Sequence, residues 1–452
     1  MLLVKKSDII SLGLIKFKNE DDKMKKKALE LVLGINLDKI GKIDKVEMDS
    51  RKIEKNDVFL AIRGGNNFVK EAISREVTLV ICDDKSYEGI DRVIVVEDTV
   101  NFMQKWAKKY LELLKILVIG ITGSNGKTST KDIIYDFLSI YKKGIKTQGN
   151  YNNHIGLPFT VLNISENDEF AVLEMGMSGF GEIDLLADIA KPDYGFITNI
   201  GDSHLEFMKT RENIFKAKSE IIPHVKKEAI VNGDDDFFKQ TKAVKIGFED
   251  TNTYQIIEEK IENNHIKFKI KIENTIYNLE TNLMGRHNLY NLTMAFALIH
   301  RLGFDLNLAI EKAKDLALTK MRFEKIEKGK NIYINDAYNA SPVSMNFALE
   351  TFEGLYKDYK KVAILGDMLE LGEKSQELHE AIYDKLINSD LSLILLYGNQ
   401  MKYLYNKFNG NEKVFHFQDK QEIKEKIKSV SEPCAILLKG SRGMRLEETI
   451  EE

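Results

Sequence analysis

A chain of 452 residues with 43% hydrophobic and 30% charged residues has material for about three domains, each with its own core. Its net charge of −4 argues against a general affinity for polyanions, and so against a coat of nucleic acid. Its two cysteines, Cys82 and Cys434, stand far apart and outside any C-x-x-C spacing. This argues against a disulfide framework or a structural zinc site, and both read as small core thiols in apolar strands. The N-terminal stretch MLLVKKSDIISLGLIKFKNE is briefly and discontinuously apolar, with no small-residue cleavage site after it. No run approaches the roughly 18 apolar residues that span a bilayer. The expectation is a cytoplasmic, monomeric protein that is not embedded in a membrane.

In chain order, residues 1–112 carry short apolar runs at 58–62, 79–81 and 93–96, with helical stretches between them and a helix over 101–114. They form a small N-terminal α/β domain. The pattern changes at Lys115. An apolar run of strand length over 116–121 leads into Thr122-Gly123-Ser124-Asn125-Gly126-Lys127-Thr128, and helical periodicity then continues to about residue 141. Further buried strands are predicted over 170–173, 194–198 and 229–231. Apolar strands alternating with helices imply a parallel sheet covered on both faces.

Residues 253–283 break this rhythm with alternating runs around a turn signal at Asn263-Asn264, which predicts an antiparallel meander at the sheet edge. A helix over 288–301 follows, with Gly303 as its C′ stop. The third unit starts near Leu318, with strands predicted over 332–335, 362–365, 393–396, 414–417 and 435–438. The expected fold class is α/β in three domains. A small N-terminal α/β domain (1–112) precedes a central P-loop-type, mostly parallel sheet (113–317), and a C-terminal Rossmann-like α/β domain (318–452) follows.

The strongest local chemistry lies at 122–129. A glycine-bearing turn between a buried strand and a helix N-terminus offers backbone N–H donors and the positive helix end to phosphate. Lys127 can neutralise the β and γ phosphates, and the Thr128 hydroxyl can ligate magnesium. The pattern departs from G-x-x-x-x-G-K-[ST], because Ile121 stands where the first glycine belongs. The bland alternative is a chance glycine-rich turn.

Magnesium prefers further hard oxygen ligands. Glu174 follows the strand at 170–173, and His204 lies in the loop after the next strand. Both sit at the carboxyl edge where open α/β sheets bind ligands. Lys218, in the helical segment 215–221, reads by itself as a surface lysine. Asn288 and Asn291, three apart, put two amides on one helix face, suited to a planar heterocycle such as adenine. Asn288 as a simple N-cap fits the spacing equally well. In the third domain, Asp336 stands at a strand end where it can accept from a ribose. The segments 366–372 and 439–443 add flexible backbone and polar groups at the same sheet edge.

Taken together, TGSNGKTSTK (122–131), NYNNHIGLP (150–158), EMGMSGFGEI (174–183), TNIGDSHLEFM (198–208), KAKSEI (216–221), GRHNLYN (285–291), MRFE (321–324), DAYNASP (336–342), GDMLELGE (366–373) and KGSRGMRLEE (439–448) resemble the Mur ligases. These are the ATP-dependent amide ligases of peptidoglycan precursor synthesis. With Asp49-Ser50-Arg51 included, the resemblance runs from residue 49 to 448. Within the family, the segment at Asp336 resembles the members that add D-alanyl-D-alanine to UDP-N-acetylmuramoyl-tripeptide. The DYAHTP-like and DNPR-like segments of the member adding the third residue are absent.

The resemblance implies ATP and magnesium as cofactors, with Gly123, Ser124, Asn125, Gly126, Lys127, Thr128 and Ser129 on the phosphates. It assigns Thr128, Glu174, His204 and Lys218, as a carbamate, to the metal, and Lys127, His204 and Lys218 to catalysis. Asn288 and Asn291 would face adenine, and Arg322 and Asp336 would reach the nucleotide when the third domain closes. Ser50 and Arg51 would bind the uridine nucleotide, and Tyr338, Asn339 and Ser441 the dipeptide. One segment departs from the family. Residues 63–68 read Arg-Gly-Gly-Asn-Asn-Phe, without the usual Asp-Gly-His-like triplet, which leaves Asn66, Asn67 and backbone groups to substitute. Alternative readings are another amide ligase of the family, which adds the third residue, or a P-loop NTPase with a different role.

Overall fold

In a computed structural model the chain is described over residues 23–37, 40–41, 43–262 and 265–450. The N-terminal stretch read above and the turn at Asn263 and Asn264 lie outside these residues. The described residues up to Ile121, with Tyr141–Gly195 and Glu220–Glu228, form one compact unit. Thr122–Ile140, Phe196–Ser219 and the chain from Ala229 onward form another.

The first unit begins with a four-stranded parallel sheet in the order Val46–Glu47, Val58–Leu60, Leu79–Cys82, Val93–Val95. The strand at 58 stops two residues earlier than its apolar run. The Ile62 N–H turns back to the Leu60 carbonyl, and Arg63 and Gly64 then adopt positive φ. Ile53, Phe59, Ala61, Val69, Val80 and Cys82 fill a core on this sheet. The helix Thr99–Leu114 is capped by Asp98, whose side chain accepts from the Asn101 N–H at 2.6 Å, and it ends on Lys115 in the left-handed conformation. That residue is where the sequence pattern changes. The single tryptophan, Trp106, lies buried in this helix and donates from Nε1 to the Lys25 carbonyl at 3.1 Å.

A nine-stranded sheet follows. Its spatial order is Thr275–Thr281, His265–Ile272, Tyr254–Glu262, Val244–Gly247, Glu228–Asn232, Tyr194–Ile197, Leu117–Thr122, Phe170–Glu174, Gly144–Lys146. The continuous apolar runs pair in parallel, as Leu117–Thr122 does with Phe170–Glu174. The alternating runs at 254–281 pair antiparallel at one edge, as their period of two requires. The short strands Gly144–Lys146 and Val244–Gly247 escaped prediction because three or four residues carry too little periodicity. The helix Arg286–Arg301 starts two residues before its expected position, and Gly303 has φ 70° just past its end.

The third sheet has six strands in the order Glu324–Lys328, Asn331–Asn335, Cys434–Lys439, Lys360–Gly366, Leu393–Tyr397, Val414–Phe417. The first of these, charged and antiparallel to its neighbour, was not expected. The rest are parallel, with one apolar cluster around Leu365, Leu396 and Leu437 and another around Ile364, Leu395 and Leu438. Among the described residues no helix is long and apolar enough to cross a membrane. Cys82 and Cys434 are free and buried in strands, as read from the sequence.

Candidate functional site

The phosphate-type loop occupies residues 122–129 of the second unit. Gly126 has φ 80° and precedes the helix Lys127–Leu138, whose N-terminus receives no side-chain cap. The first-turn N–H groups of such a helix have no acceptor within the helix. Gly123 has φ 146°, and a Cβ there would stand 1.8 Å from Thr198 Oγ1. A Cβ on Gly126 would meet Asn291 Oδ1 at 3.0 Å. Both glycines therefore let the neighbouring chain approach the loop closely. The loop is anchored from below. Thr198 Oγ1 donates to the Asn125 carbonyl at 2.5 Å, and the Asn199 carbonyl accepts from the Ser124 N–H at 3.0 Å. Lys127 Nζ donates to the Gly123 and Ser124 carbonyls at 2.8 and 3.3 Å, which folds the side chain over its own loop.

Lys218 corrects the reading of a surface lysine. In the helix Arg211–Ser219 it is 1% exposed. Burial, with the Lys127 ammonium as a second cause, pushes its amine well below the ordinary lysine range. Among the described residues no carboxylate forms an ion pair with it. The segment gave no such signal, because its apolar residues are few and Lys216 and Lys218 look alike in sequence.

His204 caps the short helix Leu205–Met208 at φ 64°, with Nδ1 2.7 Å from Glu370 Oε2. The Glu206 N–H donates to the Glu370 carbonyl at 3.1 Å. The histidine is the first cause that holds the Glu370 carboxyl below its ordinary range. Glu370 lies in the GDMLELGE segment, whose sequence showed polar groups at a sheet edge but no partner.

Asn288 is not an N-cap. Gly285 takes that position, and Asn288 lies inside the helix. Asn288 and Asn291 are buried, and Asn291 Nδ2 donates to Asn288 Oδ1 at 3.1 Å. Thr130 Oγ1 donates to Asn291 Oδ1 at 3.0 Å, so this pair braces the phosphate-loop helix.

From the third sheet, Arg322 Nη2 donates to Thr128 Oγ1 at 3.2 Å, and its guanidinium lies 4.1 Å from the Tyr338 ring centroid. Reach to the loop, expected only on closure, is already present for Arg322. Asp336 Oδ2 lies 3.0 Å from buried Lys439 Nζ, and Asp336 Oδ1 accepts from the Phe323 N–H at 3.2 Å. Lys439 also donates to the Asn339 carbonyl at 2.6 Å, and burial lowers its pKa despite the Asp336 partner. Ser441 is buried. Its Oγ accepts from the Leu369 N–H at 2.9 Å and lies close to the loop 366–372. Asn339 is exposed.

Glu174, Ser50 and Arg51 belong to the first unit. Glu174 pairs with Ile121 across the parallel register and is 3% exposed, and its Oε1 accepts from Asn152 Nδ2 at 2.9 Å. Asn152 lies inside the NYNNHIGLP motif, where nothing in the sequence singles it out from its neighbours. Ser50 is buried, whereas Arg51 is exposed and binds Asp49 in a two-pronged ion pair, both bonds 2.8 Å. That pair, led by the Arg51 side chain, holds the Asp49 carboxyl down at about 2. In the divergent segment, Asn66 Nδ2 donates to Asp83 Oδ1 at 2.7 Å and Asn67 is exposed.

Among the described residues, no group of three or more His, Cys, Asp and Glu is placed to hold a metal ion. The donors implied for magnesium are a hydroxyl, a carboxylate, an imidazole and a carbamate oxygen. Three of these four are the hard oxygens that magnesium prefers, with His204 the exception.

Residues 121–299 match the family described as Mur ligase middle domain, and residues 321–442 match Mur ligase, glutamate ligase domain. A UDP-N-acetylmuramoyl-tripeptide--D-alanyl-D-alanine ligase of Bacillus subtilis (strain 168) is 38% identical over 426 residues, which is 90% of this chain and 92% of that relative. A crystal structure of MurF from Acinetobacter baumannii superposes with a TM-score of 0.84 at 27% identity, covering 94% of this chain and 97% of the other. MurF from Thermotoga maritima in complex with ADP gives a TM-score of 0.81 at 28% identity, covering 90% and 96%.

Proposed function

The chain belongs to the Mur ligase family, and from that premise we propose that it is the ATP-dependent ligase joining D-alanyl-D-alanine to UDP-N-acetylmuramoyl-tripeptide. The observation that carries this reading is the likeness to the Bacillus relative over nine-tenths of the chain, with the glycine-built loop at 122–129 inside it.

An amine does not displace hydroxide from a carboxylate at neutral pH. In the proposed reaction the carboxylate of the tripeptide takes the γ-phosphoryl group of ATP, which gives an acyl phosphate and ADP. The dipeptide amine attacks the acyl carbon, and phosphate leaves from a tetrahedral intermediate. The protein's part is to position the reactants, supply positive charge and exclude water. We assign the backbone of Gly123 to Ser129 to the phosphates. The Lys127 ammonium would exchange its two loop carbonyls for phosphate oxygens. Arg322 and Asp336 would contact the nucleotide. Asn288 and Asn291 would fix the loop helix and present their remaining amide hydrogens to adenine.

Magnesium, when bound, supplies positive charge to the phosphate oxygens. Thr128, Glu174 and His204 would hold it, with Lys218 as a carbamate. Burial makes this amine give up its proton more readily, and its neutral form can add to carbon dioxide, forming a C–N bond and releasing a proton, so that an anion stands where an ordinary lysine carries a cation. Ser50 and Arg51 would bind the uridine nucleotide, and Tyr338, Asn339 and Ser441 would line the dipeptide site. By the same reading, residues 1–112, 113–317 and 318–452 are the UDP-substrate, ATP and dipeptide domains of a cytoplasmic, monomeric enzyme.

The test is phosphate release from ATP with each substrate alone and with both together. Release that requires UDP-N-acetylmuramoyl-tripeptide and D-alanyl-D-alanine at once supports the reading. Release with ATP alone favours an NTPase of another role, and release with a single amino acid in place of the dipeptide favours another ligase of the family.

A further inference from the structure

We propose that Asp132 is a positioning residue that delivers Arg322 to the phosphate loop by anchoring the segment on which Arg322 sits. Asp132 lies one turn after Thr128 in the helix Lys127–Leu138, on the same face. It is 1% exposed. Its Oδ2 accepts two hydrogen bonds from Thr319, from the backbone N–H at 3.0 Å and from Oγ1 at 2.7 Å. Its Oδ1 stands 3.6 Å from Lys131 Nζ, so the buried charge is compensated. Aspartate is a poor helix former, and a buried carboxylate contributes nothing to a helix interior that an apolar side chain would not. The two bonds to Thr319 give it a purpose.

Thr319 precedes Arg322 by three residues. Two positions one turn apart on the helix, Thr128 and Asp132, thus grip two positions three apart in the segment between Leu306–Ala313 and Glu324–Lys328. No regular hydrogen-bond ladder orients this segment. Met321 and Phe323, on either side of Arg322, have φ of 65° and 55°, a conformation that side chains with a Cβ hold only under constraint. The constraint comes from carboxylates. Glu324 accepts from the Met321 N–H at 2.9 Å and Asp336 from the Phe323 N–H at 3.2 Å, on the third-sheet side. Asp132 supplies the anchor on the phosphate-loop helix. Its two bonds to Thr319 act three residues ahead of Arg322, so this hold passes through the backbone of residues 319–322.

The proposal rests on the reading that Arg322 contacts nucleotide, and a double-mutant cycle separates the two. Asp132→Ala, Thr319→Val, Arg322→Ala and the doubles with Arg322→Ala are compared by kcat, KM for ATP, melting temperature and the Kd of ADP from calorimetry. Asp132→Ala is expected to lower kcat/KM for ATP about ten- to a hundredfold, as a misplaced binding group does. It should weaken ADP in parallel. Asp132→Asn keeps an acceptor for Thr319 but removes the counter-charge beside the Lys131 ammonium, so it should lose less kcat/KM than Asp132→Ala, and an equal loss would assign the effect to the charge and overturn the proposal.

In the Arg322→Ala background the Asp132→Ala change should cost nothing further in either readout. Losses that multiply fully overturn the proposal, as does parental kcat/KM in Asp132→Ala. If Asp132→Ala does not fold, the Thr319→Val cycle decides by the same criterion. An Arg322→Ala enzyme with parental kcat/KM and ADP affinity overturns the reading of Arg322 itself, and the proposal with it.

Discussion

Lys218 is an amine whose surroundings disfavour its positive charge. Its amine is buried, close enough to Lys127 to be repelled, and without a carboxylate partner among the described residues. Lys218→Ala is expected to lower kcat by about a hundredfold or more, the scale seen when one preorganised group is removed. Added formate or acetate should restore part of the activity by supplying the oxygens of the missing carbamate. Full activity without rescue would falsify the carbamate assignment. His379 carries a different residue-scale prediction. It is buried, its Nε2 accepts from the Met368 N–H at 3.0 Å, and its Nδ1 lies 2.6 Å from the Ser375 carbonyl. Both nitrogens are thus committed to the neutral ring. Burial lowers its pKa below the ordinary 6.5. Below pH 6.5 the unfolded chain binds a proton that the folded one refuses. The stability this ring contributes is therefore fully present above that pH and declines as pH falls through the folded value. The urea midpoint should drop on acidification from pH 6.5, with a slope of up to about 1.4 kcal/mol per pH unit from this group. His379→Gln should flatten that slope, and an unchanged slope would assign it to other groups.

At the scale of the element, the strand–loop–helix unit at 117–138 depends on two glycines for different reasons. Gly126→Ala asks a residue with a Cβ to hold φ 80° beside a side chain 3.0 Å away, a cost of about 1–2 kcal/mol. Gly123→Ala puts a Cβ 1.8 Å from Thr198 Oγ1, where the whole loop must shift. Urea titration should rank Gly123→Ala well below Gly126→Ala in midpoint, and the reverse order would show that the loop yields more easily than its contacts suggest. This unit was fully legible in sequence, since strand run, loop and helix each carry their own signal. So were the parallel strands around it and the edge meander, whose period changes from continuous to alternating. The strands that escaped, Val46–Glu47, Gly144–Lys146, Val244–Gly247 and Glu324–Lys328, are short or charged, and only their sheet neighbours make them strands. The same distinction divides the site. Gly126, Lys127 and Thr128 announce themselves by spacing. The burial of Lys218, the contact between His204 and Glu370, and the hold of Asp132 on Thr319 join residues far apart in the chain, and no local pattern encodes them.

At the scale of the molecule, the loop's contacts predict how a ligand should shift folding as a whole. If ADP with magnesium binds the folded chain alone, a concentration one hundred times its Kd stabilises by about 2.7 kcal/mol and raises the melting temperature progressively with concentration. Lys127→Ala should keep the parental melting temperature without ligand to within a few degrees and lose most of that rise. An undiminished rise in the variant would place the nucleotide away from residues 122–129.

The two cysteines add a consequence of their own. Cys82 lies in the first sheet and Cys434 in the third, and burial raises the pKa of both thiols. Neither should meet an alkylating reagent while its sheet is intact. Each therefore serves as a private stopwatch: iodoacetamide, read by mass at the two positions, times the opening of one end of the chain independently of the other, without any label having to be engineered in.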